Sequence, residues 1–277
     1  MTITDSTEAR SALIHFLQEN APVTVITGAG ISTDSGIPDY RDSKGEWKRT
    51  PPVQHQDYMR SEAVRKRYWA RSLFGWPVLY HAQPNSAHYA IAELQKQGLV
   101  SSIITQNVDG LHQKAGATNV INLHGYANNM VCMGCRQISP RLDMHERCLT
   151  MNPEFAALEA AAAPDGDADL EADFERFKIA DCLNCGGILK PDVVYFGDNV
   201  PRPRVEEAQK ALQESNALLA IGTSLMVFSG YRFARQAYQN NQPVALLTLG
   251  RTRADDLATL KLSCAIKDVL VSAIRSN

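Results

Sequence analysis

Long apolar runs are missing from this sequence. None approaches the ~18 residues that a bilayer-spanning helix requires, so no membrane partner is expected. An excess of positive charge is missing too: 28 Lys+Arg stand against 30 Asp+Glu, a formal net charge of −2. That leaves no uniform cationic field to grip a phosphate backbone, and no nucleic-acid partner is expected. The first ten residues hold Asp5 and Glu8 with a single Arg10, and carry neither the apolar core of a signal peptide nor an Arg-rich presequence. A cytoplasmic location is the expectation. Cysteine is scarce, six in 277 residues. This is too few for a disulfide scaffold, and four of the six fall in two tight pairs, which favours metal over oxidation. With 44% hydrophobic and 21% charged residues, the composition excludes a disordered, collagenous or coiled-coil chain and has ample apolar material for a core.

What is present is an alternation of strand and helix signals. The runs 23–27, 102–105, 120–123, 217–221 and 244–249 are short, β-branched and without strict polar alternation, as parallel strands covered on both faces should be. Helical stretches at 86–97, 203–215 and 231–240 lie among them, and the spacing of Leu13, Phe16 and Leu17 predicts a helix before the first run. The fold class implied is α/β, a Rossmann-like doubly wound parallel sheet built of right-handed crossovers. Residues 46–85, with Trp47, Tyr68, Trp69, Trp76 and dense Arg, and residues 129–188, with both Cys pairs and an Ala/Asp-rich stretch, break the pattern. They are expected to form one smaller discontinuous unit, helical and zinc-binding, leaving 1–45, 86–128 and 189–277 to the sheet.

Cys132-x-x-Cys135 and Cys182-x-x-Cys185 are separated by 46 residues. Two such thiolate pairs can wrap one tetrahedral Zn²⁺, and four protein ligands leave no open position for a reacting water, so a structural zinc is predicted. Cys148 and Cys264 stand apart as ordinary thiols. Gly28-Ala29-Gly30 directly follows a strand, and continues through Thr33, Ile37, Pro38, Asp39, Tyr40 and Arg41. Glycines at a strand end let backbone N–H groups approach a pyrophosphate, and a following helix N-terminus would favour its charge. A tight turn without a ligand is the competing reading of the glycines alone. The acid and guanidinium of Asp39 and Arg41 favour the nucleotide.

Gln106, Asn107 and Asp109 end the next strand, where ligands of open parallel sheets sit. Asn and Asp also serve as helix caps. His124 closes the strand 120–123 at the same edge and is the best general-base candidate of seven histidines. His112 is not separated from it by spacing. Gly222-Thr223-Ser224 follows another strand and offers hydroxyls to phosphate or ribose. The run 191–198, containing Val193, Val194, Phe196 and Gly197, could pair with a peptide as an added strand or simply connect the two units.

In this order, GAGISTDSGIPDYR, TQNVDGLH, LHG, the double C-x-x-C, KPDVVYFGD and GTSL resemble the sirtuins, the NAD-dependent protein-lysine deacylases. The resemblance covers residues 10–272. RYWARSLFGWP, APDGDADL and LGRTRADDLA are similar to the class II branch, which contains a sirtuin described as a lipoamidase, acyl-lysine deacylase and ADP-ribosyltransferase. The resemblance implies NAD as co-substrate and acylated lysines of protein substrates as partners. It implies that Ala29, Gly30 and Arg41 hold the diphosphate, that Gln106 meets ribose, and that Asn107 and Asp109 with Ile37 shape the nicotinamide pocket. Asn107 would act beside a catalytic His124. Gly222, Thr223 and Ser224 would face the adenosine side with Thr248, Leu249 and Gly250, and Ile266 would offer backbone to adenine. Thr248 stands where many sirtuins place Asn. Tyr68 and Arg71 are similar to a Tyr-x-x-Arg pair that binds dicarboxyl acyl groups in another class, but their spacing to 84–85 differs. The residues matching 163–170 are expected to gate the acyl entrance. The alternatives are protein mono-ADP-ribosyl transfer and a catalytically idle NAD-responsive module.

Overall fold

Runs of apolar residues buried on both faces account for the main sheet of this computed structural model, which describes residues 2–40, 46, 52–158, 161–162, 168–170 and 172–274. Elements are numbered in chain order. Seven parallel strands lie in the order β1 (Thr2–Ile3), β12 (Leu260–Leu262), β11 (Val244–Leu247), β10 (Ala217–Ile221), β2 (Val23–Thr27), β3 (Val100–Thr105) and β4 (Val120–Asn122). Successive side chains go to opposite faces. Val25, Leu219, Ile221, Ala245 and Leu247 pack with α1 (Ser6–Asn20), α4 (Ser86–Lys96) and α10 (Ile266–Ile274). Ile26, Ile104, Leu218, Ala220 and Leu246 pack with α8 (Arg202–Gln213) and α9 (Phe228–Gln239). Each fully buried Leu or Ile contributes about 1.5–3 kcal/mol, so neither face can be left open. Local chemistry sets the helix starts: the Asp5 carboxylate accepts from Thr7 and Glu8 N–H at 3.0 and 2.9 Å to open α1.

Two short strands, β1 at the edge and β12 next to it, have no counterpart in the sequence reading, because two or three residues are too short for a periodicity to register. The Gly-rich loop also departs from expectation. In place of a long helix after Gly28 there are two 3-10 turns, Ala29–Ile31 and Thr33–Ser35. Three-residue turns sum too few peptide dipoles to attract an anion as a helix terminus does, so any anion contact there rests on individual N–H groups.

A second, antiparallel sheet has β5 (Gly125–Cys132) between β6 (Ile138–Pro140) and β9 (Leu189–Val193). Around it lie α2 (His55–Arg60), α3 (Glu62–His81), α6 (Arg141–Met151) and α7 (Pro153–Ala156), with Tyr58, Trp69, Leu73, Met130, Met144, Phe155 and Phe177 in a shared core. The pair β7 (Ala161–Ala162) and β8 (Ala168–Asp169) lies against α3. Arg141 is buried yet fully engaged. It donates to the Ala127 carbonyl at 3.2 Å and to the Ser72 hydroxyl, with Trp69 and Trp76 on its faces, both 5.5 Å away. Between the two sheets, α5 (Leu111–Lys114) follows β3. No helix among the described residues is long and apolar enough to cross a membrane.

Candidate functional site

Strand order positions the site. From β2 the chain moves outward through β3 to β4, then returns to the other side of β2 at β10 and moves outward again through β11 to β12. The reversal falls between β2 and β10, and in open α/β sheets the crevice beyond the carboxyl ends at such a point is where ligands bind. The two loops that flank it are Gly28–Gly30 and Gly222–Ser224. They touch backbone to backbone: Gly30 N–H donates to the Gly222 carbonyl at 2.9 Å. A Cβ on Gly222, whose φ is +61°, would come within 2.5 Å of the Ile31 nitrogen, and a Cβ on Gly28 within 2.7 Å of Thr223. These glycines therefore serve the close approach of two loops. The Ile266 side chain, at the start of α10, lies against Gly222.

The polar residues of the next loop are tied into this floor. The Gln106 amide donates to the Thr223 hydroxyl at 2.7 Å and to the Thr27 carbonyl at 3.2 Å. The Asn107 amide donates to the Gly28 carbonyl and to the Ser32 hydroxyl, both at 3.1 Å, and Ser32 in turn donates to Asp109 at 2.8 Å. Burial pushes the Asp109 carboxyl above the usual range, against the N–H of Leu111 and the Ser32 hydroxyl, which favour its charge. Asp109 thus joins Ser32 to the first N–H of α5. Ile37 and Val108 are buried beside it with Trp76 and Leu79, forming an apolar wall. Thr33 returns to the Gly30 carbonyl at 3.1 Å. Pro38, Asp39 and Tyr40 continue that segment half-buried, and Arg41 lies outside the described residues. Thr248, Leu249 and Gly250 follow β11, with Leu249 exposed and Gly250 at φ +83°.

His124 sits where β4 ends and β5 begins, half-buried. Its Nδ1 is 3.0 Å from the Gln106 carbonyl, and its Nε2 is 2.8 Å from the Ser229 hydroxyl. A carbonyl only accepts, so Nδ1 carries the hydrogen and Nε2 keeps its lone pair, which the Ser229 O–H meets as donor. Burial lowers the ring's pKa to about 4. The Gln106 carbonyl opposes this, and the Arg204 and Arg232 guanidiniums add to it. At neutral pH the ring is therefore an unprotonated base whose basic nitrogen, bonded to Ser229, is directed away from the tether. Ser229 was not legible in the sequence: the helix reading there began at 231, whereas α9 begins at Phe228.

Val194 N–H donates to the His124 carbonyl at 2.8 Å, so the strand segment leaving β9 passes beside the ring. Val193 ends β9 opposite Gly125. Phe196 bridges to Gln54 and meets Tyr40 edge-on at 6.4 Å, while the Gly197 carbonyl accepts from Gln56 at 2.7 Å. Tyr68 is instead a core residue, packed at 5.2–5.7 Å against Tyr58, Trp69 and Tyr195, with Arg71 half-buried one turn on along α3. Of the expected gate at 163–170, residues 163–167 lie outside the described residues, and Leu170 packs on the small core.

The four cysteine sulfurs lie within 4.8 Å of one another, with Cys132–Cys185 at 3.5 Å and Cys135–Cys182 at 3.8 Å. A tetrahedral Zn²⁺ with Zn–S near 2.3 Å requires sulfurs about 3.8 Å apart, so this set fits a closed structural zinc. Cys148 and Cys264 are buried elsewhere.

His112, which spacing could not separate from His124, is turned into the interior. Its Nε2 meets the Thr27 hydroxyl at 2.9 Å and its ring packs on His88 at 5.0 Å. Burial lowers His112 to about 3 and His88 to about 4. In the unfolded chain both rings take protons near 6.5, so between that pH and about 4 the unfolded state holds more protons and stability falls as pH falls. Each ring contributes about 1.4 kcal/mol per pH unit across that window. His124 and His145 are displaced in the same direction, and only Asp109 among these buried groups is displaced oppositely. Urea unfolding at pH 6 and pH 5 should therefore register a loss of at least one ring's share, and a flat profile would contradict the buried neutral pair.

The Sir2 family model matches residues 28–229. NAD-dependent protein deacetylase 2 of Bradyrhizobium diazoefficiens is 53% identical over 255 residues, covering 92% of this chain and 93% of the relative. NAD-dependent protein deacylase Sirt4 of Drosophila melanogaster is 44% identical over 259 residues, covering 92% and 83%. A solved structure described as Sir2 with a p53 peptide and NAD+ superposes with a TM-score of 0.76 at 26% identity, covering 96% of this chain and 97% of that one. On the matched span and these identities, the chain belongs to the Sir2 family.

Proposed function

We propose that this chain is an NAD-dependent protein-lysine deacylase that, consuming one water, moves the acyl group from lysine to ADP-ribose and releases nicotinamide and the free lysine amine. The observation that carries the reading is the His124 ring, which follows β4 and is tethered through Nδ1 to the loop after β3, so that Nε2 is the unprotonated nitrogen at the sheet's carboxyl edge. NAD fits the crevice as co-substrate, since loops from β2, β3 and β10 meet there at backbone distance, with an apolar wall at one end and hydroxyls at the other. Gly28, Ala29, Gly30 and Thr33 with Arg41 would line its diphosphate. Gln106 and Asn107 would line the ribose, Asp109 and Ile37 the nicotinamide, and Gly222, Thr223, Ser224, Thr248, Leu249, Gly250 and Ile266 the adenosine.

Bound there, NAD supplies an electrophilic sugar carbon that gives up nicotinamide and accepts the acyl oxygen. Within the chain, the Nε2 lone pair of His124 removes a proton from a ribose hydroxyl, and general-base help of this kind is worth about 10²–10⁴-fold. Asn107 and Asp109, linked through Ser32, hold the pocket floor, and the wall of Ile37 and Val108 excludes water that would hydrolyse the sugar prematurely. The segment Val193–Val194 beside His124 is suited to hydrogen-bond a peptide as an added strand, with Phe196 and Gly197 beyond it. The zinc site, saturated by four thiolates, plays no chemical part.

The motifs at 67–77, 163–170 and 249–258 support a class II placement with preference for lipoyl or other longer or branched acyl groups, and the Drosophila relative is named a deacylase. Tyr68 and Arg71 are assigned only a place near the acyl side. A panel of acetyl-, lipoyl-, glutaryl- and methylglutaryl-lysine peptides, assayed with NAD for released nicotinamide, tests both levels. Turnover with a longer acyl chain preferred is expected. Acetyl-lysine as the best substrate overturns the preference, and no turnover on any acyl peptide overturns the activity. Mono-ADP-ribosyl transfer would instead leave a sugar adduct on the acceptor peptide.

A further inference from the structure

The bond at 2.8 Å between His124 Nε2 and the Ser229 hydroxyl occupies the nitrogen that the reaction needs, and the reading above assigns Ser229 no role. Ser229 lies on the first turn of α9, and its place is fixed by the same residue that tethers the other side of the ring. A Cβ on the adjacent Gly230 would fall 2.5 Å from the Gln106 Oε1, so this turn abuts Gln106, whose carbonyl holds Nδ1 at 3.0 Å. The Gln106 amide is itself anchored to Thr27 and Thr223. His124 is therefore clamped from two sides by parts that cannot move independently.

We propose that Ser229 is a positioning residue for His124, resting on the deacylase reading above. In the resting enzyme its O–H donates to the Nε2 lone pair and fixes the ring plane. When substrate enters, the hydroxyl turns about its Cβ–Oγ bond and yields the Nε2 lone pair to a ribose O–H; once that O–H bond has broken, an N–H bond has formed at Nε2 and the ribose oxygen has moved on to the acyl carbon, the Ser229 oxygen accepts the new N–H. Ser229 neither gains nor loses a proton overall. The need for such an acceptor is specific to this pocket. The charged groups set against the ring are the guanidiniums of Arg204 from α8 and Arg232 from α9, which oppose an imidazolium. Arg204 is partly neutralised by Asp192 at 3.0 Å, and among the described residues the Gln106 carbonyl is the other hydrogen-bond partner of the ring.

The test compares Ser229→Ala and Ser229→Thr with the wild-type enzyme. For Ser229→Ala, kcat on an acyl-lysine peptide should fall about three- to tenfold, the worth of one neutral hydrogen bond, with KM for NAD and melting temperature unchanged. Ser229→Thr, which keeps the hydroxyl, should recover most of the loss. In the ligand-free enzyme labelled with ¹⁵N-histidine, the His124 Nε2 resonance should move downfield in Ser229→Ala, toward an unbonded imine nitrogen, while Nδ1 stays in place. An unmoved Nε2 resonance overturns the proposal, whatever the kinetics. So does an unchanged kcat, or a loss that threonine does not repair. The spectrum needs no turnover, so it judges Ser229 separately from the deacylase reading, which fails only if the wild-type enzyme releases no nicotinamide with acyl peptide.

Discussion

Replacing His124 with alanine is expected to lower deacylation by about 10²–10⁴-fold while leaving fold and zinc content unchanged. The size follows from the ring's isolation as a base. Nδ1 is committed to the Gln106 carbonyl, so the proton-accepting function rests on Nε2 alone. The other buried imidazoles cannot substitute: His112 and His88 face each other and Thr27 in the interior. The structural cost is small, because the residue is not fully buried and its removal frees only one carbonyl and one hydroxyl. The ring's pKa, lowered to about 4 by burial and by Arg204 and Arg232 against the Gln106 carbonyl, sets the pH dependence. The base is competent at neutral pH, and its share of the rate in the free enzyme is lost as pH falls through that value. Near wild-type turnover in His124→Ala, with an unchanged melting curve, would reject the assignment.

Stripping the zinc should have the second large effect, unfolding the small sheet without disturbing the large one. Structural Zn²⁺ in small modules is worth about 10–16 kcal/mol in apparent binding free energy, far more than the net stability of a typical domain. Here the ligands tie separate pieces together. Cys132 ends β5 and Cys135 begins the turn to β6, while Cys182 and Cys185 precede β9. A Cβ on Gly187 would lie 3.1 Å from both Cys132 and Cys185 sulfurs, so the knuckles close tightly around the site. Chelation, or Cys182→Ala, should abolish hydrogen-exchange protection in β5, β6 and β9 and leave it in β2, β3 and β10, whose cores are independent. Circular dichroism unchanged after full metal removal would contradict a structural role. A chelated enzyme that is folded but inactive would contradict the exclusion of zinc from the chemistry.

The parts of this fold that could be read from the sequence are those where burial leaves a residue-by-residue imprint. β2, β10 and β11 are buried on both faces, and their runs of Val, Ile, Leu and Ala, joined in β2 by Thr24 and Thr27, made them legible. The zinc ligands were legible because metal geometry dictates sequence spacing. Ser229 was not, because its importance comes from a neighbour 105 residues away and its helix, beginning at Phe228, has Val227 as an N-cap without a side-chain hydrogen bond. A Ser-Gly pair in a helix's first turn looks like a loop to any propensity argument. The loop after Gly28 carried the opposite problem, its glycines suggesting a helix terminus where short 3-10 turns stand. His112 and His124 have similar local contexts, and only the tertiary fold turns one inward and the other toward the crevice.

The central claim is that a lysine-bound acyl group is passed to the sugar of NAD with His124 as base. Mass spectrometry of the products from an acyl-lysine peptide and NAD tests it most directly. The account predicts free lysine on the peptide, one nicotinamide for each acyl group removed, and the acyl group on ADP-ribose. Deacylated peptide together with a free carboxylic acid and unconsumed NAD would contradict it.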